Sequence, residues 1–131
     1  MKFKVGDTAS VTKTFAQEDI EKFAELSGDR NRIHLDADYA KTARFGKRIA
    51  HGMLTSSLIS NVIGNQLPGL GSIYLGQTLQ FLAPVFPGDT ITASATVTSI
   101  REDKPIVKIE TVCKNQRDEI VIKGEATVLV E

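Results

Sequence analysis

The segment SGDRNRIHLD contains two side chains that could transfer protons, Asp29 and His34, and the chain's other histidine is His51 in AHGM. Five residues of α-helix rotate by about 140°, so Asp29 and His34 cannot share one helix face. Gly28 and Asn31 favour a turn between them. A carboxylate and an imidazole that face one cavity can hold a water molecule and move its protons. The alternative is structural: Asp29 caps a turn, and His34 is a hydrogen-bonded loop residue.

The same segment offers a metal site as another interpretation. His34, Asp36 and Asp38 in HLDAD would share one face only on a β-strand. The two aspartates lie where a helix is predicted to begin, and helix capping accounts for both of them. We therefore predict neither a metal ion nor another cofactor.

Gly52 in AHGM is the predicted first residue of a long apolar helix. The first N–H groups of a helix have no acceptor within it, and the helix dipole makes this end positive. Such a site can stabilise an oxyanion, and glycine lets a ligand approach the backbone closely. The alternative is that the glycine serves only a tight turn into the helix. We expect His51, which precedes it, to be structural.

Length and composition predict one soluble domain over residues 1–131. Sixteen basic residues balance sixteen acidic ones, and the basic residues are scattered without aromatic clusters, so nucleic-acid binding is not expected. The start, MKFKVGDTAS, lacks the apolar run of a signal peptide, and no stretch approaches the roughly eighteen apolar residues of a membrane span. These features predict a cytoplasmic protein that binds neither nucleic acid nor membranes.

The first half of the chain is predicted to be helical and rich in loops. DTASVTKTF is typical of a strand, and AQEDIEKFAELSG has apolar residues near helical spacing, with Gly28 as its C-terminal stop. Asp36 is expected to cap a short helix in DADYAKTARFG. Residues 52–65 are apolar on several sides, which indicates a buried helix. One ridge of this helix carries small residues, against which another backbone could lie: Ser56, Ser60 and Gly64.

After Pro68 the apolar residues recur at every second position, which is typical of strands with one covered face. Turns are predicted at PGD, REDKP and NQRDE, so the strands are antiparallel. The single cysteine, Cys113, is expected to be a small buried residue rather than a reactive thiol. The residues expected to face inward are Ile73, Leu75, Leu79, Phe81, Ala83, Val85, Ile91, Ala93, Ala95, Val97, Val107, Ile109, Cys113, Ile122, Ala126, Val128 and Val130. A long antiparallel sheet curled around one buried helix is the hot-dog fold, of the α+β class, and we predict it here.

Together these segments resemble the MaoC-like (R)-specific enoyl-CoA hydratases. SGDRNRIHLDADYA is similar to the hydratase motif of that family, in which four residues separate an aspartate from a histidine. IAHGML is similar to the segment that enters the family's central helix, and LPGLGSIYLGQTLQFLAPVFPGD to the strand and turn that follow. REDKPI resembles a segment of the short, single-domain members that supply polyhydroxyalkanoate precursors. The resemblance covers nearly the whole chain.

The resemblance implies a role for each residue singled out above. Asp29 and His34 would be the catalytic pair, and the Gly52 N–H would hold the thioester carbonyl oxygen. Water would add to the β-carbon of a trans-2-enoyl-CoA, a proton would reach the α-carbon, and an (R)-3-hydroxyacyl-CoA would form. Family members are homodimers with the substrate channel near the subunit interface, so a homodimer is expected. This chain has Arg32 where the family usually has proline, which removes a fixed backbone angle from the turn.

Ser60 lies eight residues beyond Gly52, or roughly 12 Å along the predicted helix, so it is expected to line the channel of a short acyl chain. Ile63 and Val128 are expected to help close this channel. The preferred function is hydration of short-chain enoyl-CoA, and the residues that contact coenzyme A are not predicted. The alternatives are dehydration of a 3-hydroxyacyl group on acyl carrier protein, a hot-dog thioesterase, and a non-catalytic acyl-thioester sensor.

Overall fold

The structure, a computed structural model, describes residues 3–131; Met1 and Lys2, which the domain prediction includes, lie outside the described residues. The described part contains six strands and four helices. In chain order these are β1 Thr8–Thr14, α1 Gln17–Ser27, α2 Arg32–Leu35, α3 Ala37–Thr42, α4 Gly52–Asn65, β2 Ser72–Gln77, β3 Gln80–Phe81, β4 Thr90–Ile100, β5 Ile106–Lys114 and β6 Ile120–Val130.

The strands form one antiparallel sheet in the order β1-β4-β5-β6-β2. The short strand β3 also pairs with β6, so β2 and β3 follow one another along the same side of β6. The connection between them crosses Gly124, where an added Cβ would overlap the carbonyl oxygen of Thr78. Only glycine therefore fits under this crossing.

Helix α4 packs against one face of the sheet, mostly over β1 and β4. Its apolar residues join the alternate residues of β4, β5 and β6 in one buried core, which confirms the predicted hot-dog architecture. The predicted bounds of α4 are also confirmed. Cys113 is fully buried in this core, and burial raises the pKa of its thiol to about 12, so the prediction of an unreactive cysteine is confirmed.

The inward pattern predicted after Pro68 is wrong in part. Ile73, Leu75 and Phe81 are 45%, 52% and 53% exposed, and the run divides into β2 and β3. These side chains are exposed because β2 lies at one end of the sheet, whereas α4 covers mostly the strands at the other end. The predicted close approach at the small-residue ridge of α4 is also not formed within the described chain, where Ser60 and Gly64 are exposed.

In the first half of the chain, the predicted end of α1 and start of α3 are confirmed, and the structure contains one further helix. Gly28 ends α1 in the left-handed conformation, with φ of 82°, and its N–H donates to the carbonyl of Ala24 at 2.9 Å. The Asp36 side chain accepts from the N–H of Tyr39 at 3.0 Å and caps α3. The one-turn helix α2, which carries His34, was not predicted.

Candidate active site

The turn between α1 and α2 is built by short polar side chains. One Asp29 oxygen, Oδ1, accepts from the N–H of Asn31 at 3.2 Å, and Asn31 in turn caps α2 by accepting from the N–H of Ile33 at 3.2 Å. The Asp29 side chain is exposed, and within residues 3–131 no donor bonds its second oxygen, Oδ2. Asp29 therefore stabilises the turn with one oxygen and presents the other to solvent.

His34 points back from α2 towards the segment before α4. Its Nδ1 lies 2.8 Å from the carbonyl oxygen of Ile49. A carbonyl only accepts, so Nδ1 carries the proton and Nε2 keeps a free lone pair. Burial lowers the pKa of His34 below its ordinary 6.5, and the neighbouring His51 acts in the same direction. The ring is therefore neutral at physiological pH and able to accept a proton at Nε2.

His51 joins this site, although the sequence suggested only a structural role. Its ring stacks on that of His34 with centroids 3.8 Å apart and forms a T-shaped pair with the Phe23 ring, with centroids 4.8 Å apart. Its Nε2–H donates to the backbone carbonyl of Asp29 at 3.0 Å, while Nδ1 is buried without a hydrogen-bond partner among the described residues. Its position just before Gly52 and the scarcity of histidine were the only sequence signals for this contact.

Asp29, His34 and His51 lie together, with one ligand atom from each within 4.8 Å of the others. The geometry favours hydrogen bonding over metal binding, because the rings are stacked with planes 27° apart and each ring already donates an N–H to a backbone carbonyl. The HLDAD set does not converge, since Asp36 caps α3 and Asp38 faces Lys41 at 3.7 Å. A carboxylate, a neutral imidazole that can accept a proton and a second imidazole packed against it are suited to proton transfer.

Gly52 is the first residue of α4, as predicted, and its N–H is among those with no acceptor inside the helix. It lines a cavity of about 540 Å³ whose other walls are mostly apolar. A Cβ on Gly52 would come within 2.5 Å of the Phe81 ring, so any larger residue here would require that ring to shift. Asp29 and His34 do not line the cavity, and they approach it through His51, the residue preceding Gly52.

Comparison with known proteins gives a consistent result. The profile of the MaoC-like domain matches residues 2–119. The chain belongs to this family. An (R)-specific enoyl-CoA hydratase of Rhodospirillum rubrum is 50% identical over 127 residues, which is 97% of this chain and 88% of that protein. The mitochondrial 3-hydroxyacyl-[acyl-carrier-protein] dehydratase of Arabidopsis thaliana is 42% identical, over 97% of this chain and 77% of its own length. The solved (R)-hydratase from A. caviae involved in PHA biosynthesis is 46% identical, with a TM-score of 0.95 and 98% of each chain covered.

In this MaoC-like chain the three residues of the predicted acyl channel are separated from the cavity. Ser60 is exposed on α4, while Ile63 and Val128 are buried in the core at 1% and 0% exposure. None of the three lines the cavity beside Gly52. The acyl channel stays a prediction.

Arg32, which replaces the proline usual in the MaoC-like motif, has contacts of its own. Its guanidinium pairs with Asp36 at 3.0 Å and lies 4.7 Å from the centre of the Tyr39 ring. The residue before it, Asn31, has φ of −54° and ψ of 131°, the conformation that a following proline requires. The backbone before Arg32 therefore has a conformation that a proline at position 32 would accept.

Proposed function

We propose that this protein is an (R)-specific enoyl-CoA hydratase, a hydro-lyase that adds water reversibly to a trans-2-enoyl-CoA and forms an (R)-3-hydroxyacyl-CoA. The observation that carries this proposal is the neutral His34, whose proton is held on Nδ1 by Ile49 and whose ring lies beside the Asp29 carboxylate. The similarity to hydratases along nearly the whole chain supports it.

In the proposed reaction, His34 Nε2 and the free oxygen of Asp29 accept hydrogen bonds from one water molecule. The water oxygen bonds to the β-carbon, and the proton taken from it is returned to the α-carbon. Between these steps negative charge collects on the thioester oxygen, as an enolate. The N–H of Gly52, at the positive end of α4, donates to this oxygen and stabilises it.

The test is the hydration of crotonyl-CoA, followed by the loss of enoyl absorbance, with an (R)-specific dehydrogenase to identify the product. Asp29→Asn and His34→Gln should each lower turnover by roughly 10²–10⁴-fold. The double variant should lose far less than the product of the two losses, because the residues act as one unit. The control is Asp38→Asn, which changes an exposed carboxylate outside the site. Near-normal turnover in either single variant would remove that residue from the mechanism.

The second candidate is dehydration of 3-hydroxyacyl groups on acyl carrier protein, favoured by the similarity to the plant dehydratase. Dehydration is the reverse reaction at the same site, so the two candidate functions differ in the carrier of the acyl group. Comparing kcat/KM for CoA thioesters and for carrier-protein thioesters distinguishes them. Release of free thiol would instead indicate a thioesterase, and binding without turnover would indicate an acyl-thioester sensor.

A homodimer is part of the proposal, and the edge of the sheet supports it. The end strand β2 exposes Ile73 and Leu75, whereas β1 at the opposite edge carries mainly threonine, serine and lysine on its surface. Unpaired apolar edge strands favour pairing with another chain. Light scattering should give the mass of two chains, and Ile73→Lys with Leu75→Lys should reduce it to one. Val5→Lys, at an exposed apolar residue before β1, is the control and should leave the dimer intact.

The remaining parts of the proposal concern the biological setting. The similar (R)-hydratase from A. caviae is involved in PHA biosynthesis, which supports a role in supplying precursors of such polymers. A cytoplasmic location and a preference for short acyl chains stay predictions from the sequence. Among residues 3–131, no helix is long and apolar enough to cross a membrane.

A further inference from the structure

The segment between α3 and α4 carries positive charge that acidic side chains do not neutralise. Most lysines and arginines of the described chain form salt bridges with a carboxylate. Arg44, Lys47 and Arg48 form none with the residues that the structure describes. Because the chain as a whole has zero net charge, this cluster is a local positive field.

The cluster borders the cavity beside Gly52 and a groove next to it. Arg44 lines that cavity, and Lys47 and Arg48 line a groove of about 300 Å³. The two spaces adjoin, because consecutive residues line one and then the other: Phe45 with Gly46, and Val85 with Phe86. A ligand that occupied both spaces would therefore contact Gly52 and Arg44 in the cavity and Lys47 and Arg48 in the groove.

The segment is also held in place. The N–H of Ala50 donates to the carbonyl of Val85 at 2.7 Å, which fixes the end of the segment against the strand connection. The Lys47 ammonium lies 4.2 Å above the centre of the Phe86 ring, which orients it over the groove without neutralising its charge. Lys47 is thus oriented at the groove without a ligand, with Arg48 on the same groove wall and Arg44 on the wall of the cavity.

We propose that Arg44, Lys47 and Arg48 bind the phosphate groups of the coenzyme A carrier. This assignment rests on the proposed function, which places the thioester oxygen at Gly52. The pantetheine arm then runs through the mostly apolar cavity, and the nucleotide end, with its pyrophosphate and 3′-phosphate, reaches the groove. Guanidinium and ammonium groups are the usual partners of phosphate, and no carboxylate among residues 3–131 forms a salt bridge with these three.

The test compares two substrates that differ only beyond the pantetheine arm. Crotonyl-CoA carries the phosphates and crotonyl-pantetheine does not. The triple variant Arg44→Gln, Lys47→Gln, Arg48→Gln should raise the ratio of the KM for crotonyl-CoA to that for crotonyl-pantetheine by about 10–100-fold, since each exposed charge pair is worth up to about fivefold. The effect should weaken with added salt. The control is Lys104→Gln with Lys123→Gln, which removes two other cations that form no salt bridge within the described part of the chain and should leave the ratio unchanged.

Several results would overturn the assignment. An unchanged ratio would do so, as would an equal rise in both KM values. A larger loss with crotonyl carrier protein than with crotonyl-CoA would assign the cluster to an acidic protein surface instead. If the wild-type protein hydrates no thioester, the proposed function fails separately, and calorimetry still tests the cluster. Adenosine 3′,5′-bisphosphate should bind the wild-type protein and bind the triple variant at least about tenfold more weakly.

Discussion

Replacing Gly52 by proline tests whether the start of α4 stabilises the enolate. The substitution fits the backbone, because His51 has φ of −59° and ψ of 134°, as a residue before proline must. Proline is also well tolerated at the first position of a helix, where its missing N–H breaks no helical hydrogen bond. Gly52→Pro therefore removes the proposed oxyanion donor while the helix itself is retained.

The expected loss follows from the donor and from the packing around it. Removing one oxyanion donor lowers kcat by about 10²–10³-fold, or about 2.7–4 kcal/mol of transition-state stabilisation. Proline also adds a Cβ, which would lie within 2.5 Å of the Phe81 ring. Gly52→Ala adds the same Cβ and keeps the N–H, so the difference between the two variants isolates the donor. Phe81 is 53% exposed, so its ring has room to move aside at modest cost.

The assay is crotonyl-CoA hydration by both variants, in the natural background and with Phe81→Leu, which removes the crowding ring. Melting temperatures confirm that each variant is folded. We expect Gly52→Pro to turn over at least about 10²-fold more slowly than Gly52→Ala in both backgrounds. Equal rates for proline and alanine would refute the proposed role of the N–H and leave Gly52 a packing residue.

Further predictions concern the acid–base pair, the turn, the sheet and the channel. Burial lowers the pKa of His34, so the acid limb of kcat/KM should lie below pH 6.5 and be absent in His34→Gln. On acidification, His34 is protonated at a higher pH in the unfolded chain than in the folded protein. Calorimetry should therefore show the free energy of unfolding falling as the pH drops below 6.5, until His34 is protonated in the folded protein as well. Arg32→Pro should keep its activity in the crotonyl-CoA assay and change the unfolding free energy by less than about 1 kcal/mol, because loss of its exposed ion pair opposes the entropic gain. Urea denaturation should show that Gly124→Ala lowers the free energy of unfolding by about 1–3 kcal/mol, because its Cβ overlaps the β2–β3 connection. Gly76→Ala, which has open space around it, should leave the free energy of unfolding unchanged. Ser60→Leu should spare crotonyl-CoA relative to longer enoyl-CoAs, and equal losses of kcat/KM at every chain length would contradict the channel.

The parts of the fold that sequence could predict are those with strong local signals. The bounds of α4 follow from an apolar run that begins at a glycine and ends before a proline. The buried residues of β4 and β5 follow from strict alternation between predicted turns. Gly28 and Asp36 mark helix ends because their backbone and side-chain preferences act within a few residues.

The failures occur where a distant element decides the outcome. Alternation shows that Ile73 and Leu75 share a face with each other, but not whether anything covers that face. Coverage depends on where α4 lies across the sheet, and it lies mostly over the far strands. The helix α2 escaped prediction for a different reason, since its four residues are too few to show a helical period.

In the candidate site, too, the local features could be predicted from the sequence and the long-range contacts could not. The types and spacing of Asp29 and His34 indicated proton transfer, but their environment depends on contacts with residues about twenty positions away. His34 donates to the carbonyl of Ile49, just before α4, and His51, also just before α4, donates to the carbonyl of Asp29. The N–H of Ile49 also donates to the carbonyl of Ile33 at 3.1 Å.

These reciprocal bonds join the α1–α2 turn to the start of α4. Each histidine lies on one segment and donates to a carbonyl of the other, and the two rings stack between them. In the proposed reaction, the bonds that fix the proton of His34 on Nδ1 would also hold Asp29 and His34 at a set position relative to the Gly52 N–H. Hydration needs both at once, because the water must reach the β-carbon while charge collects on the thioester oxygen. The proposed reaction therefore gives His51 an aligning role, because its ring and its bond to the Asp29 carbonyl connect the acid–base residues to the segment that begins α4.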